Sequence, residues 1–416
     1  MTYRKRVIDS MLSNALNRAG AVLIEGAKGC GKTSTAEQAA GSVARVDVDP
    51  SVALYMQVEP KRVLAGATPR LLDEWQRQPL LWDLVRRAVD DRQKSGQFIL
   101  TGSASPDSSV PRHSGAGRFA VLRMRPMSLW EDGTSRGEVS LSSLRQGAMP
   151  AMTEPGSEDM AFWADVISRG GWPTTLQWPL RKRLTYVADY LSLLAQVDTS
   201  EVAETRRDPA RVSGLLRSIA RNTSTEAAAR TLGMDAGGRA GSLSRNTVAK
   251  YLDALERLMV IEPLPAWQTS LRDSATLRQA PAWHFVDPSL AVAAMRATPM
   301  RLVAEPKTLG LLFESLALRD IRIYAAHDGG QVFRARDSAG REVDAVIEYP
   351  EGWVACEIKL GMGQVDDAAA SLTAFVRAVD TQSVGPCLSR LVIVGNGPGY
   401  FRPDGIQVVP LAALRP

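Results

Sequence analysis

This chain is poor in the residues that build covalent frameworks and metal centres. Of its 416 residues only three are cysteine (Cys30, Cys356 and Cys387) and three are histidine. A sparse, odd set of cysteines with no paired spacing argues against a disulfide scaffold and against a zinc site. No apolar run reaches the roughly 20 residues that a membrane-spanning helix needs. The opening stretch, MTYRKRVIDS, lacks the long apolar core of a secretion signal. No internal repeat is visible. These absences lead us to expect a cytoplasmic protein with no membrane partner. Nor is one sign of charge in large excess. A net charge of +5 and a pI near 9.2 permit a nucleic-acid partner without demanding one. At 45% hydrophobic and 23% charged residues the composition is that of an ordinary globular chain. Its length suggests about two to four domains.

What is present begins with Gly26-Ala27-Lys28-Gly29-Cys30-Gly31-Lys32-Thr33, followed by Ser34. This fits G-x-x-x-x-G-K-[ST], the phosphate-binding loop of nucleoside triphosphatases. The apolar run Ala21 to Ile24 before it reads as a buried strand, and Ser34 to Ala40 reads as a helix. Glycines let such a loop turn its N–H groups inward around phosphates, and the helix start adds its positive dipole end. Lys32 is expected to reach the β- and γ-phosphates, and Thr33 to ligate Mg²⁺. The cofactors expected are therefore ATP and Mg²⁺.

The rest of a nucleotide module follows in order. Residues 4–19 read as a basic amphipathic helix, and Val43 to Asp49 as a second strand. Leu71-Leu72-Asp73-Glu74 has apolar residues running into an acidic pair. Asp73 is expected to hold Mg²⁺ through water, and Glu74 to orient the attacking water. A helix over Leu80 to Val89 comes next, then a strand, Gln97 to Ser103, whose Thr101 and Ser103 are candidates to contact the γ-phosphate or the water. The stretch from Ser103 to Arg125 reads as loop, with Arg118 a candidate to neutralise phosphate in its own or a neighbouring subunit. This order implies a parallel sheet covered by helices. Residues 134–157 are rich in Gly, Ser and Pro and read as a flexible connection. Helices before Gly170-Gly171-Trp172-Pro173 and over Arg183 to Val197 read as a lid.

In the middle of the chain, helical spacing covers residues 211–220, Thr225 to Leu232 and Val248 to Leu258, with Gly233 to Gly241 as a break. Ser244 is a good N-cap, and Val260 to Leu264 is extended. This rhythm suggests a winged helix-turn-helix, with Arg245, Asn246 and Lys250 on the exposed face of the recognition helix.

The last third carries Glu314 on an apolar helix, Asp344 in one strand, and Glu357-x-Lys359 in the next. Side chains alternate faces along a strand, so Glu357 and Lys359 share one. Asp344 lies thirteen positions earlier, the spacing of a hairpin that brings both carboxylates together. Two carboxylates beside a lysine can hold Mg²⁺ and activate water next to a phosphodiester.

With these pieces in hand, the chain resembles a family of bacterial and archaeal ATP-binding proteins. Their AAA-type ATPase domain is followed by a restriction-endonuclease-like domain of uncharacterised function. The similar pieces are GAKGCGKT at 26–33, LLDEWQ at 71–76, FILTGSAS at 98–105, GRF at 117–119, GGWP at 170–173, SRNTVAKYLDALERL at 244–258, LFES at 312–315, REVDAVIE at 341–348 and CEIKLG at 356–361. The resemblance implies ATP binding and hydrolysis. It implies an α/β fold class: a P-loop AAA-type parallel sheet, then a helical and winged-helix region, then a restriction-endonuclease-like α/β domain. The expected divisions are 1–133, 134–204, 205–275 and 276–416. Two departures stand out: the 134–157 stretch is weakly patterned, and Cys30 puts a thiol inside the loop, where oxidation would impair binding. Two classes of function fit. One is an ATPase that binds DNA, with a nuclease-like domain that binds or cuts. The alternative is a nucleotide-dependent regulatory switch whose degenerate nuclease fold binds a protein. Self-association into a homo-oligomer fits either.

Overall fold

Ala21–Gly26 (β1) is apolar along nearly its whole length, the pattern of a strand covered on both faces. In the computed structural model β1 is the inner strand expected from that pattern. The structure describes residues 2–103, 114–148, 152–198, 208–225, 227–237, 241–269, 280–337 and 339–416. Ser42–Arg45 (β2), Arg70–Asp73 (β3), Phe98–Gly102 (β4) and Phe119–Met124 (β5) join β1 in a parallel five-stranded sheet of order β2-β3-β4-β1-β5. Val22 and Ile24 point into a large core that continues to the chain's other end, while Ala21 and Leu23 point into a second core with Trp75 and Trp82. A one-residue slip would exchange these two sets.

Three expectations for this half are corrected. The second strand stops at Arg45. Asp49 instead accepts a hydrogen bond from the Ser51 amide (2.9 Å) and caps the helix Pro50–Val58. That cap, with Pro50 in the first turn, diverts the chain out of the sheet. The stretch expected as loop before Arg125 contains β5, where Ala120, Leu122 and Met124 face inward and Val121 outward. In the weakly patterned segment 134–157, the described residues 134–148 are not a free connection. Its Val139–Ser140 (β6) pairs in parallel with the chain's last strand, Leu414–Arg415, and the Ser135 hydroxyl donates to the Leu414 carbonyl at 2.6 Å. Such pairing across the whole chain leaves no local pattern.

The middle region places helices at Pro209–Arg221, Ala229–Gly237 and Arg245–Arg257, then Ile261–Leu264 (β7) antiparallel to Ala282–Phe285 (β8). The second helix therefore runs through Gly233, where a break was expected. A Cβ there would meet the Leu243 carbonyl oxygen at 2.7 Å, so this glycine serves close approach of two backbones. The expected turn residues 238–240 lie outside the described residues.

The carboxyl-terminal sheet is mixed. Gln331–Arg336 (β9), Glu342–Tyr349 (β10), Gly352–Lys359 (β11), Cys387–Val394 (β12), Tyr400–Phe401 (β13) and Gln407–Pro410 (β14) lie in the order β13-β14-β12-β11-β10-β9. The large core covers the face carrying Ala345, Ile347, Val354 and Cys356, against the helix Pro306–His327. A third core, with Trp267, Trp353 and Phe375, covers the other. Both sheets thus lean on one shared interior.

Candidate functional site

The phosphate loop leaves β1 at Gly26, where β5 approaches so closely that a Cβ would lie 2.1 Å from the Met124 carbonyl oxygen. Gly29 (φ +74°) and Gly31 (φ +105°) take left-handed conformations, and the helix Lys32–Ala39 starts directly after. Lys32 is buried and donates to the Gly26 and Ala27 carbonyls, 2.9 Å each. Across the sheet, Asp73 ends β3 in register with Thr101. The Asp73 Oδ1 accepts from the Thr33 hydroxyl at 2.8 Å and from the Thr101 hydroxyl at 2.5 Å. Three residues expected from distant stretches, Thr33, Asp73 and Thr101, therefore meet at one end of the sheet, beside Lys32. Glu74 follows at φ +55°, its carboxylate receiving the Gln76 amide at 2.5 Å and the Ser103 hydroxyl at 3.4 Å. Among the other loop residues, Ser34 is exposed and Lys28 half-buried. Cys30 is fully buried with its thiol against the Met124 carbonyl at 3.6 Å, so an oxidant has no direct approach. A cavity of about 680 Å³ opens beside the loop, lined by Tyr3, Arg6, Ser34, Thr35, Met127 and Leu176.

Arg118 is not at the loop. It precedes β5, pairs with Asp90 at 2.9 Å, and so lies at the end of the sheet opposite the phosphate loop. A strand of that length spans about 20 Å. Its expected role at the phosphates of its own chain is therefore corrected.

In the carboxyl-terminal sheet the β10–β11 register pairs Ala345 with Cys356, which sets Asp344 opposite Glu357. Lys359 Nζ lies 3.0 Å from Asp344 Oδ2 and 2.5 Å from Glu357 Oε2. Asp344 also accepts the Ile358 amide at 2.7 Å, and Glu357 the Ser371 hydroxyl at 2.9 Å. Burial, then the neighbouring Asp344, pushes the Glu357 carboxyl up to about 7. Burial and Asp344 likewise hold Glu314 well above the usual carboxylate range. Burial alone would lower Lys359, but Asp344 and Glu357 together raise it. The expected cluster is assembled, with the ammonium between its two carboxylates. Among the described residues no group of three or more His, Cys, Asp or Glu side chains is placed to hold a metal ion.

Arg245, Asn246 and Lys250 are exposed on the helix Arg245–Arg257, whose start is capped by Ser244 accepting the Thr247 amide at 3.1 Å.

Comparison with known proteins fits this geometry. Residues 18–132 match the family described as an AAA domain. The chain carries an AAA-type P-loop ATPase domain. Residues 160–301 and 309–414 match two domains of unknown function, DUF8612 and DUF4143. Over 99% of its length the chain is 25% identical to two uncharacterized proteins, Rv2008c of Mycobacterium tuberculosis and Mb2031c of Mycobacterium bovis, covering 84% of each. The Walker-type ATPase PABY2304 of Pyrococcus abyssi aligns with 69% of this chain and 94% of its own, at 14% identity and a TM-score of 0.41. No described helix is long and apolar enough to cross a membrane.

The ATPase domain is joined to the rest by charges that sequence reading missed. Arg6, buried, donates to the Cys30 carbonyl of the loop, to the Arg125 carbonyl and to Glu131, each at 2.9 Å. Arg125 grips the buried Glu262 of β7 at 2.7 Å, and Glu262 also meets Arg322 at 2.8 Å on the helix that carries Glu314. Burial works against the Glu262 anion, but Arg125 and Arg322 hold its carboxyl below the ordinary range. One signal was available: Ser128 and Glu131 form an S-x-x-E capping box, visible as spacing.

Proposed function

We propose that this chain is a Mg²⁺-dependent ATPase that binds DNA, and that nucleotide at the loop sets how the carboxyl-terminal sheet meets it. The hydrogen-bonded set of Thr33, Asp73 and Thr101 beside a glycine-shaped loop carries the nucleotide half. Thr33 and Asp73 are the residues that would hold Mg²⁺, which when bound polarises the terminal phosphate. Lys32 exchanges two neutral carbonyl partners for charged phosphate oxygens, which make stronger hydrogen bonds. Glu74 orients the attacking water, steadied by Gln76 and Ser103. The cavity next to Ser34 and Thr35 accommodates the nucleoside. The test is Mg²⁺-dependent ATP hydrolysis in wild type and Lys32→Ala. Equal turnover in the two would sink this reading.

The DNA half rests on Asp344, Glu357 and Lys359 gathered on one sheet face, on the exposed Arg245, Asn246 and Lys250 of a winged-helix-like region, and on a basic chain. The antiparallel strands β9, β10 and β11, a helix and parallel β12 form the restriction-endonuclease-like arrangement in this reading. Binding should be sensitive to salt, because phosphate contacts release counterions. No retention of duplex, single-stranded or branched DNA in low-salt gels, with or without ATP, counts against it. The position of Lys359 Nζ between the two carboxylates favours a second reading, a domain that binds without cutting, or a nucleotide switch for a protein partner. Any nicking that persists in Glu357→Ala comes from elsewhere. The divisions after 204 and 275 fall outside the described residues. A phosphate role for Arg118 requires a neighbouring copy in a homo-oligomer, and the proposed location is the cytoplasm.

A further inference from the structure

A second cavity, of about 270 Å³, lies away from the phosphate loop, between the helix Pro209–Arg221 and residues 295–312. Its floor includes Leu302 and Leu312, and its walls carry Arg217, Arg221, Thr223 and Arg301. Arg217 and Arg221 are one helical turn apart and so share a face. Among the described residues Arg217 makes only a long 3.4 Å contact with the Ala294 carbonyl. Arg221 is exposed and has no ion pair among the described residues. Arg301 is engaged by Glu305 at 3.1 Å, and Thr308 also donates to that carboxylate at 3.4 Å. One acid therefore offsets one of the guanidiniums and leaves two uncompensated.

Thr223 supplies the independent sign. It is 2% exposed, lines this cavity, and its hydroxyl has no hydrogen-bond partner among the described residues. Buried hydroxyls are normally paired, so an orphan beside two uncompensated arginines calls for an acceptor from outside the chain. The next residue, Ser224 (φ +58°), donates to the Leu311 carbonyl at 3.1 Å and fixes the turn against the helix that carries Glu314. Leu311 and Glu314 are three residues apart, about 4.5 Å along that helix. The cavity thus shares a wall with the carboxylate cluster.

We propose that this cavity is a seat for a terminal phosphate on a sugar. The phosphate is held by Arg217, Arg221 and the Thr223 hydroxyl, and the sugar packs on Leu302 and Leu312. Planar guanidiniums suit a phosphate dianion, and the volume is near the small end for ligand sites, matching a phosphorylated sugar more than a full dinucleotide. The ligand comes either from the 5′-phosphorylated end of a nucleic-acid strand, which rests on the DNA reading above, or from a free phosphorylated sugar. A strand end here would lie beside Glu314, Asp344 and Glu357.

The test uses the full chain carrying Lys32→Ala, so that the phosphate loop does not contribute. Fluorescence anisotropy compares one single-stranded oligonucleotide with a 5′-phosphate and with a 5′-hydroxyl, and melting curves are taken with ribose 5-phosphate. Tighter binding of the phosphorylated end by about tenfold, lost in Arg221→Gln and in Thr223→Val, is the expected result. If neither oligonucleotide binds, but ribose 5-phosphate raises Tm in the parent and not in Arg221→Gln, the cavity stands with a free sugar phosphate as its ligand and the DNA reading falls. No end preference together with no Arg221-dependent rise in Tm overturns the proposal. So does an end preference that survives Arg217→Gln combined with Arg221→Gln. Arg221 is exposed, so its variant keeps the test valid should Thr223→Val fail to fold.

Discussion

The two acidic sites of this chain treat positive charge differently. At the end of β3, Asp73 is met by two hydroxyls, Thr33 and Thr101, and the nearby Lys32 is turned onto its own loop. In β10 and β11, Asp344 and Glu357 are already bridged by Lys359. Neutral hydroxyls leave the Asp73 charge available to a divalent ion. An ammonium between two carboxylates has satisfied much of the same demand. Similar residue types, both read from sequence as metal sites, are thus left with different charge balance: one carboxylate open to a cation, the other pair already bridged by one.

The largest effect expected from this contrast is at the loop. Lys32→Ala should reduce ATP turnover by several orders of magnitude, since in the proposed function the lysine is the loop's cation for the β- and γ-phosphates. In the same assay Glu357→Gln should leave ATP turnover unchanged while altering DNA retention. Loss of turnover in Glu357→Gln would show that the two sites are not separate in function.

Next in size is the junction between the two halves. Glu262→Gln leaves Arg125 and Arg322 buried against a neutral amide, and removing one partner of a buried ion pair costs about 3–5 kcal/mol. The change is read as a lowered urea midpoint. This junction also predicts pH dependence. His284 is buried, and burial, reinforced by Arg322, pushes its pKa down to about 3. The unfolded chain therefore binds a proton that the folded chain refuses, so stability falls as pH drops below about 6.5. The Glu262 contribution is complete above the ordinary carboxylate range and is lost as pH falls through its depressed value. The raised carboxyls of Glu314 and Glu357 act in the opposite sense over the same range, because the folded chain takes up those protons first. The test is therefore a difference: between pH 7 and pH 5, His284→Gln should lose less Tm, or gain more, than wild type. Identical pH dependence in the two contradicts the His284 assignment.

How much of this was legible in sequence follows the distance over which each feature is built. The phosphate loop is contiguous, and Asp73 and Thr101 end apolar strands, so their convergence followed from strand order. Asp344 and Glu357 were readable because a tight hairpin fixes their register. Arg6 was not, since its partners Cys30 and Glu131 lie 24 and 125 positions away. Glu262 is 137 positions from Arg125 and carries no motif. The pairing of β6 with the last strand is longer still. Local chemistry announces a site, while the charges that join sites are visible only once the chain is folded.

The smallest effect separates a residue that resembles a catalytic arginine from one that acts as one. Arg118 lies in the GRF motif, and the motif alone suggested a phosphate contact. Its guanidinium is instead exposed and paired with Asp90, whose carboxyl it holds below the ordinary range. Exposed pairs of this kind contribute little, because water and salt already solvate both charges. Arg118→Ala should therefore leave Tm nearly unchanged and, in dilute protein, leave ATP turnover at the wild-type rate. Turnover per chain that rises with concentration in wild type but not in Arg118→Ala would place this arginine in a neighbour's site. A drop that is independent of concentration would mean that it reaches its own loop after all, against the geometry of β5.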